Sequence, residues 1–148
     1  MKRILIAVDG SDGARAALEE GLGLARTSGA VATVVHVRQT PLSIFGDPYY
    51  ERALTAELRR GRELLDEAQA LAAEAGVAAE LELLEGDPAE QIVDLARLRE
   101  ADLIVVGCRD RGPIAGALLG SVSQALVHGA DRPVLVAKQR ARRERRAA

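Results

Sequence analysis

ADLIVVGCRDRGPIAGALLGSVS, residues 101–123, is the stretch that decides the fold of this 148-residue chain. Within it, residues 103–106 form a short apolar run without polar alternation, which favours a strand buried on both faces of a parallel sheet. A loop rich in glycine follows Gly107, and Ser121 is then a suitable N-cap for a helix. This order of strand, loop and helix start predicts a place where backbone N–H groups and a helix dipole hold an anion.

The composition limits the class of protein. A chain of 148 residues with 48% hydrophobic content fits one domain with a proper core. Aromatic residues make up only 2% of it, so it offers no stacking surface of the kind that binders of single-stranded nucleic acids use. Its single cysteine, Cys108, excludes an internal disulfide and a zinc site built from several cysteines. No apolar run reaches the roughly 18–20 residues that span a bilayer, and no signal peptide is visible, so we expect a cytoplasmic protein.

The net charge of −2 conceals an asymmetry. Residues 138–148 contain six basic residues and one acidic residue, a composition typical of a solvated terminus. We therefore divide the chain into a domain at residues 1–138 and a basic, disordered tail at residues 139–148. Contact of the tail with nucleic acid or an acidic surface is the alternative.

Apolar or β-branched runs alternate with amphipathic segments along the whole chain. The predicted strands are residues 3–8, 31–37, 77–84, 103–106 and 134–137. Four helices are predicted. The first follows the turn at residues 9–13, and the second spans about residues 50–75. The third runs from Pro88 to about Arg99, and the fourth follows Ser121. The alternation predicts an α/β domain with a doubly wound, five-stranded parallel sheet, helices on both faces and the strand order 3-2-1-4-5.

Ligands of such sheets bind beyond the carboxyl ends of the strands, where the strand order reverses. For this order the reversal lies between the first and fourth strands. Asp9 and Gly107 end those strands, so we expect them to face each other. A simple turn or helix cap is the alternative role for Asp9.

Other candidate residues are weaker. His36 and His128 are single and far apart in sequence, which favours structural roles over catalysis. Cys108 follows the fourth strand, where we expect partial exposure and a packing role rather than a redox one. No Ser-His-Asp order, HExxH motif or Walker lysine loop is present. A receiver domain is disfavoured, because Glu85 ends the third strand where a phospho-accepting aspartate is needed.

Several landmarks of the chain, in the right order, resemble the universal stress protein family. They are ILIAVDGS at residues 4–11, His36-Val37, GDPA at residues 86–89, and the segments VVG, LLGSVS and RPVLV that end at residues 107, 123 and 136. The resemblance spans residues 2–138. It implies the doubly wound fold and a homodimer, which we expect to form through the apolar terminal strand Val134–Ala137.

Family members that bind ATP resemble the pattern G-x2-G-x9-G-[ST]. Gly107 matches the first glycine, Gly120 and Ser121 match the last pair, and Asp110 stands at the second glycine. Aspartate tolerates a positive φ, so the turn can survive. Its carboxylate would repel a triphosphate unless a divalent ion or the neighbouring arginines offset the charge.

The resemblance implies a site at the carboxyl ends of three strands and at the start of the last helix. The implied nucleotide-binding residues are Ala7, Val8, Asp9, Val37, Val106, Gly107, Arg109, Asp110, Gly120, Ser121, Val122 and Ser123. The strand ends would border the adenine and the ribose, while the loop and the helix start, with both serine hydroxyls, would take the phosphates. The Asp9 carboxylate is implied as a candidate partner for the ribose hydroxyls or a metal ion, and no catalytic residue is implied.

These residues predict a regulator of the stress response that binds ATP or a related adenine nucleotide, with or without Mg²⁺. The departure at Asp110 keeps a second reading open, a dimeric interaction module of the same family without a nucleotide. A third reading is a slow ATPase, which would need a group that positions water. The sequence identifies no such group.

Overall fold

The computed structural model describes residues 1–41, 46–108 and 119–139. Strands and helices alternate strictly within these residues, as predicted. The strands are β1 (Arg3–Ala7), β2 (Val31–Arg38), β3 (Ala79–Glu85), β4 (Leu103–Gly107) and β5 (Val134–Ala137). The helices are α1 (Asp12–Ser28), α2 (Asp47–Glu74), α3 (Pro88–Leu98) and α4 (Ser121–Gly129).

All neighbouring strands of the sheet are parallel, and their order β3-β2-β1-β4-β5 confirms the prediction. Residue Ile6 of β1 lies beside Val34 on one side and Val105 on the other. All three side chains are fully buried. The short apolar runs therefore occupy the centre of the sheet, where both faces are covered.

Each face of the sheet has its own hydrophobic core. On one face α1 and α2 cover alternate strand residues such as Ile4 and Val34. On the other face α3 and α4 cover the intervening residues, among them Leu5 and Val35. Because α1 leaves β1 toward the first face and α4 packs on the second, a crevice opens between β1 and β4.

The ends of the helices agree with most of the predicted caps. Ser11 is the N-cap of α1, and Gly29 ends that helix with a φ of 72°. Asp87 caps α3, its carboxylate accepting a hydrogen bond from the Glu90 N–H at 3.0 Å. The prediction of Ser121 as a cap is wrong, because the extended Gly120 takes the N-cap position of α4 and Ser121 begins the helix.

Other predicted element boundaries also shift, most of them by a single residue. Helix α2 begins at Asp47 rather than near residue 50, because Pro48 is well suited to a first helical turn. Strand β3 begins at Ala79 rather than at residue 77, since Gly76 ends the preceding connection with a φ of 68°. Among the described residues, no helix combines the length and the apolar character that crossing a membrane requires.

The start of α1 lies directly against the end of β4. A Cβ atom on Gly13 would lie 2.2 Å from the carbonyl oxygen of Cys108, and one on Gly107 would lie 2.3 Å from the carbonyl carbon of Gly13. Such distances leave no room for any side chain at either position. The two glycines therefore bring α1 and β4 together beside the crevice.

Candidate functional site

A cavity of about 650 Å³ occupies the carboxyl edge of the sheet, where β1 and β4 separate. Every predicted nucleotide-binding residue that the structure describes lines this cavity. They are Ala7, Val8, Asp9, Val37, Val106, Gly107, Gly120, Ser121, Val122 and Ser123. Asp9 and Gly107 thus border the same space, as expected from the strand order. The remaining two, Arg109 and Asp110, lie outside the described residues.

The carboxylate of Asp9 is oriented by the turn that follows it. Its Oδ1 accepts hydrogen bonds from the Ser11 N–H at 2.9 Å and from the Ser11 hydroxyl at 2.5 Å. The Ser11 Oγ in turn accepts from the Ala14 N–H at 3.1 Å. Asp9 therefore does cap the turn, and its Oδ2 has no hydrogen-bond partner within the part of the chain that the structure describes. That oxygen can accept a hydrogen bond from a ligand hydroxyl.

The start of α4 presents backbone donors to the cavity. Its internal bonding begins with the Gln124 N–H, which donates to the Gly120 carbonyl at 3.0 Å. The N–H groups of the three preceding residues consequently have no partner inside the helix, and no side chain caps them. Together with the helix dipole, they make this end of the cavity suited to an anion.

The two serines of this helix differ in their surroundings. Ser123 is 4% exposed, and its hydroxyl donates to the Gly107 carbonyl at 2.8 Å. This bond joins α4 to the end of β4. The Ser123 hydroxyl proton points to Gly107 here, and the expectation that both serine hydroxyls serve phosphates stays a prediction. The Ser121 side chain is exposed.

The cavity also has walls that sequence reasoning missed. The start of α3 contributes Asp87, Pro88 and Ala89, and α2 contributes Glu57 and Arg60. The GDPA motif and its position after a strand were a usable signal for the first group. The α2 residues carried no local signal, because they reach the site from the middle of a long helix.

The charges along the described wall are mixed. Three carboxylates, those of Asp9, Glu57 and Asp87, stand against the two guanidinium groups of Arg38 and Arg60. The Arg38 Nη2 donates to the Glu85 carboxylate at 2.6 Å, so its charge is already compensated. Arg60 forms no ion pair with a described carboxylate, and its Nη2 donates to the Asp9 carbonyl at 3.2 Å.

His36 and Cys108 are both buried beside the cavity. The Nδ1 of His36 lies 2.8 Å from the Val8 carbonyl oxygen, which agrees with a structural role. Cys108 is 4% exposed, so the expected partial exposure is wrong; the start of α1 covers this position. His128 is exposed on α4 and does not line the cavity. Within the described residues, no group of three or more His, Cys, Asp and Glu side chains could hold a metal ion.

Comparison with known proteins identifies the family of the chain. The model of the universal stress protein family matches residues 1–138. The chain belongs to this family. A universal stress protein from Thermus aquaticus is 41% identical over 138 residues, covering 93% of this chain and 98% of its own. A solved member from Burkholderia pseudomallei is 34% identical, with a TM-score of 0.76 and coverage of 91% of this chain and 94% of its own.

Three similar solved universal stress proteins contain an adenine nucleotide. One from Archaeoglobus fulgidus, in complex with dAMP, is 28% identical with a TM-score of 0.72, covering 93% of this chain and 98% of its own. One from Arabidopsis thaliana, with AMP bound, is 26% identical with a TM-score of 0.72, covering 95% of this chain and 94% of its own. A third, in complex with cAMP, is 28% identical with a TM-score of 0.73, and the match covers 94% of this chain and 98% of the solved chain.

Proposed function

We propose that this universal stress protein binds an adenine nucleotide in the cavity at the carboxyl edge and acts as a regulatory protein of the stress response. One observation carries the proposal. The end of β1, the end of β4 and the uncapped start of α4 converge on one cavity. The adenine nucleotides in three similar solved proteins support the choice of ligand.

In this proposal each wall of the cavity meets one part of the ligand. We place the adenine against the small apolar side chains of Ala7 and Val37, and the ribose between Asp9 and Gly107. The phosphate lies at the start of α4, where the N–H groups that have no partner inside the helix donate. The Oδ2 of Asp9, which no described residue occupies, accepts from a ribose hydroxyl, since an ionised carboxylate can only accept.

The charge of the described wall favours a ligand with few phosphates. It carries three carboxylates and two guanidinium groups, and one of these, that of Arg38, is already paired with Glu85. Among the described residues, only the charge of Arg60 is left to offset the carboxylates. A triphosphate carries more negative charge into this wall than a monophosphate does, and the repulsion grows with that charge. We therefore expect AMP or cAMP to bind without a divalent ion, and ATP to bind better when Mg²⁺ accompanies it.

Titration calorimetry with adenosine, AMP, cAMP and ATP, with and without magnesium, tests the proposal. Asp9→Asn should lower the affinity for adenosine and AMP alike by about tenfold, the effect of one lost charge-assisted hydrogen bond. Asp12→Asn is the matched control, since Asp12 is exposed on the first turn of α1 and does not line the cavity. Binding of none of these ligands by the unaltered protein would favour the interaction module without a nucleotide.

We also propose a homodimer that forms through the outer edge of β5. This strand pairs with β4 on one side only, and its other edge is unpaired in the described chain. An unpaired apolar edge is a template for pairing with a second copy. The cytoplasmic location expected from the sequence belongs to the same proposal, and cell fractionation tests it.

A further inference from the structure

Two consecutive carbonyl groups at the exit of β1 are each held by a side chain from elsewhere in the fold. The Val8 carbonyl lies 2.8 Å from the Nδ1 of His36, and the Asp9 carbonyl accepts from the Nη2 of Arg60 at 3.2 Å. His36 belongs to β2 and Arg60 to α2. Neither bond is part of the ladder that joins the strands.

The His36 ring is confined from several sides. Because a carbonyl oxygen only accepts, the Nδ1 of His36 carries the proton and donates to Val8. The ring is 6% exposed and lies beneath α2, where a Cβ atom on Gly61 would come within 3.2 Å of it. The imidazole therefore has little freedom to turn away from Val8.

Arg60 holds the next carbonyl, that of Asp9. It precedes Gly61 on α2, lines the cavity and forms no ion pair with a described carboxylate. Its bond to Asp9 comes just before Gly10, which has a φ of 85°. The turn thus begins at the point where the guanidinium group holds the chain.

These two bonds act on the two peptide groups that flank one Cα atom. A peptide group is planar, so fixing its carbonyl oxygen restricts the orientation of the whole group. Holding the groups before and after the Asp9 Cα restricts both of its backbone dihedrals. Those dihedrals set the direction in which the Asp9 Cα–Cβ bond leaves the chain, and the two bonds from Ser11 to Oδ1 then orient the carboxylate at its end.

We propose that His36 and Arg60 are positioning residues that aim the Asp9 carboxylate at the ribose of the bound nucleotide. The inference rests on the proposed function, since it requires a ligand at Asp9. Neither side chain needs to touch the ligand. Each lowers the cost of ordering Asp9 when the ligand binds.

Two amide substitutions of His36 test its role in positioning Asp9. The amide nitrogen of asparagine can occupy the place of Nδ1, whereas glutamine places its amide near Nε2. His36→Gln should lower the AMP affinity about fivefold, the effect of one lost neutral hydrogen bond, and His36→Asn should keep it within about twofold. Urea unfolding of both variants measures their stabilities. Equal losses of affinity in the two variants would overturn the proposal.

Substitutions of Arg60 and Arg59 test the role of Arg60 in positioning Asp9. Arg60→Met should lower the affinity for AMP and for adenosine equally, by about tenfold, because Asp9 meets the ribose that both ligands share. Arg59→Met removes the same charge from a neighbouring exposed position outside the cavity, and it should change neither affinity by more than about twofold. A loss confined to AMP would mean that Arg60 binds the phosphate directly, which contradicts a positioning role.

The same substitutions in an Asp9→Ala background complete the experiment. Once the carboxylate is absent there is nothing to position, so His36→Gln and Arg60→Met should each change the AMP affinity by less than about twofold. Full additivity of the losses would overturn the inference while leaving nucleotide binding intact. Failure of the unaltered protein to bind AMP or adenosine would instead overturn the proposed function, and the inference with it.

Discussion

Gly107 matches the first glycine of the family's nucleotide motif, but the packing around it also explains why a glycine is needed there. A side chain there would collide with the backbone of Gly13 at the start of α1. The close approach of α1 and β4 requires this glycine whether or not a ligand binds. Its presence is therefore no measure of nucleotide binding, and Asp9 and the start of α4 are the better indicators.

The contact between α1 and β4 predicts that alanine substitutions at two glycines of α1 change the stability in opposite directions. Gly13→Ala should destabilise the protein by about 1–3 kcal/mol, because the new methyl group meets the Cys108 carbonyl. Gly23→Ala adds the same group to α1 where no atom lies within 4 Å. It should stabilise the protein by up to about 1 kcal/mol through helix propensity. Urea unfolding compares the two, and equal effects would contradict the packing argument.

Asp110 is the departure from the family pattern, and its role stays a prediction. If its carboxylate stands about 5 Å from a phosphate, repulsion is worth about 3 kcal/mol at an effective dielectric constant of about 20, before screening. Even a third of that would tighten ATP binding about fivefold in Asp110→Gly. Adenosine should bind both versions about equally. A loss of ATP affinity in the variant would instead identify Asp110 as a residue that supports the phosphates or a metal ion.

At the scale of elements, the junction before β5 ties α3 to the sheet. The Nη1 of Arg132 donates to the carbonyl of Ala96, in the last turn of α3, at 2.8 Å and to the carbonyl of Ala101, just before β4, at 2.7 Å. Asp131 accepts from the Nε atoms of Arg97 at 3.2 Å and Arg132 at 3.0 Å. The side-chain hydrogen bonds from these two arginines lower the pKa of Asp131 to about 2.

This lowered pKa predicts how stability responds to acid. The ionised Asp131 stabilises the fold at full strength above the ordinary aspartate pKa near 3.8, and the contribution is lost as the pH falls through the folded value of about 2. The difference in unfolding free energy between the protein and Asp131→Asn should therefore be constant near neutral pH and shrink in that acid range. Urea unfolding at a series of pH values measures it. A difference that persists unchanged into acid would contradict the assignment.

At the scale of the whole molecule, the parallel sheet has two edge strands, β3 and β5. The Pro133 and Ala137 carbonyls accept hydrogen bonds from Ile104 and Cys108 of the β4 segment, so these odd-numbered positions face β4. Backbone groups alternate along a strand, which directs those of Val134 and Val136 to the open edge. The expected dimer would pair them with the same residues of a second copy.

Val136→Pro tests this assembly. Proline removes an N–H group from the open edge and leaves the bonds to β4 in place, so the fold should persist while the dimer dissociates. Sedimentation at micromolar concentration should find a dimer for the unaltered protein and a monomer for the variant, and circular dichroism checks that the variant is folded. A monomer in both cases, or a dimer in both, would contradict pairing through β5.

The sequence by itself determined the order of elements, the parallel sheet and the edge at which the cavity lies. Apolar runs, caps such as Asp87 and the positions of Asp9 and Gly107 are local signals, because neighbouring residues decide them. Local signals were less reliable at helix starts, as at Gly120, where the extended backbone rather than the serine side chain decided the cap.

Only the tertiary structure decided which distant residues share the cavity and how they are held. Arg60 meets Asp9 across 51 positions of the chain, and His36 meets Val8 across 28. The burial of Cys108 and the contact between Gly13 and Gly107 likewise join segments that no periodicity connects. Such contacts depend on how α1 and α2 pack on the sheet. A sequence pattern records the buried face of a helix, but not the residue on another element that this face will meet.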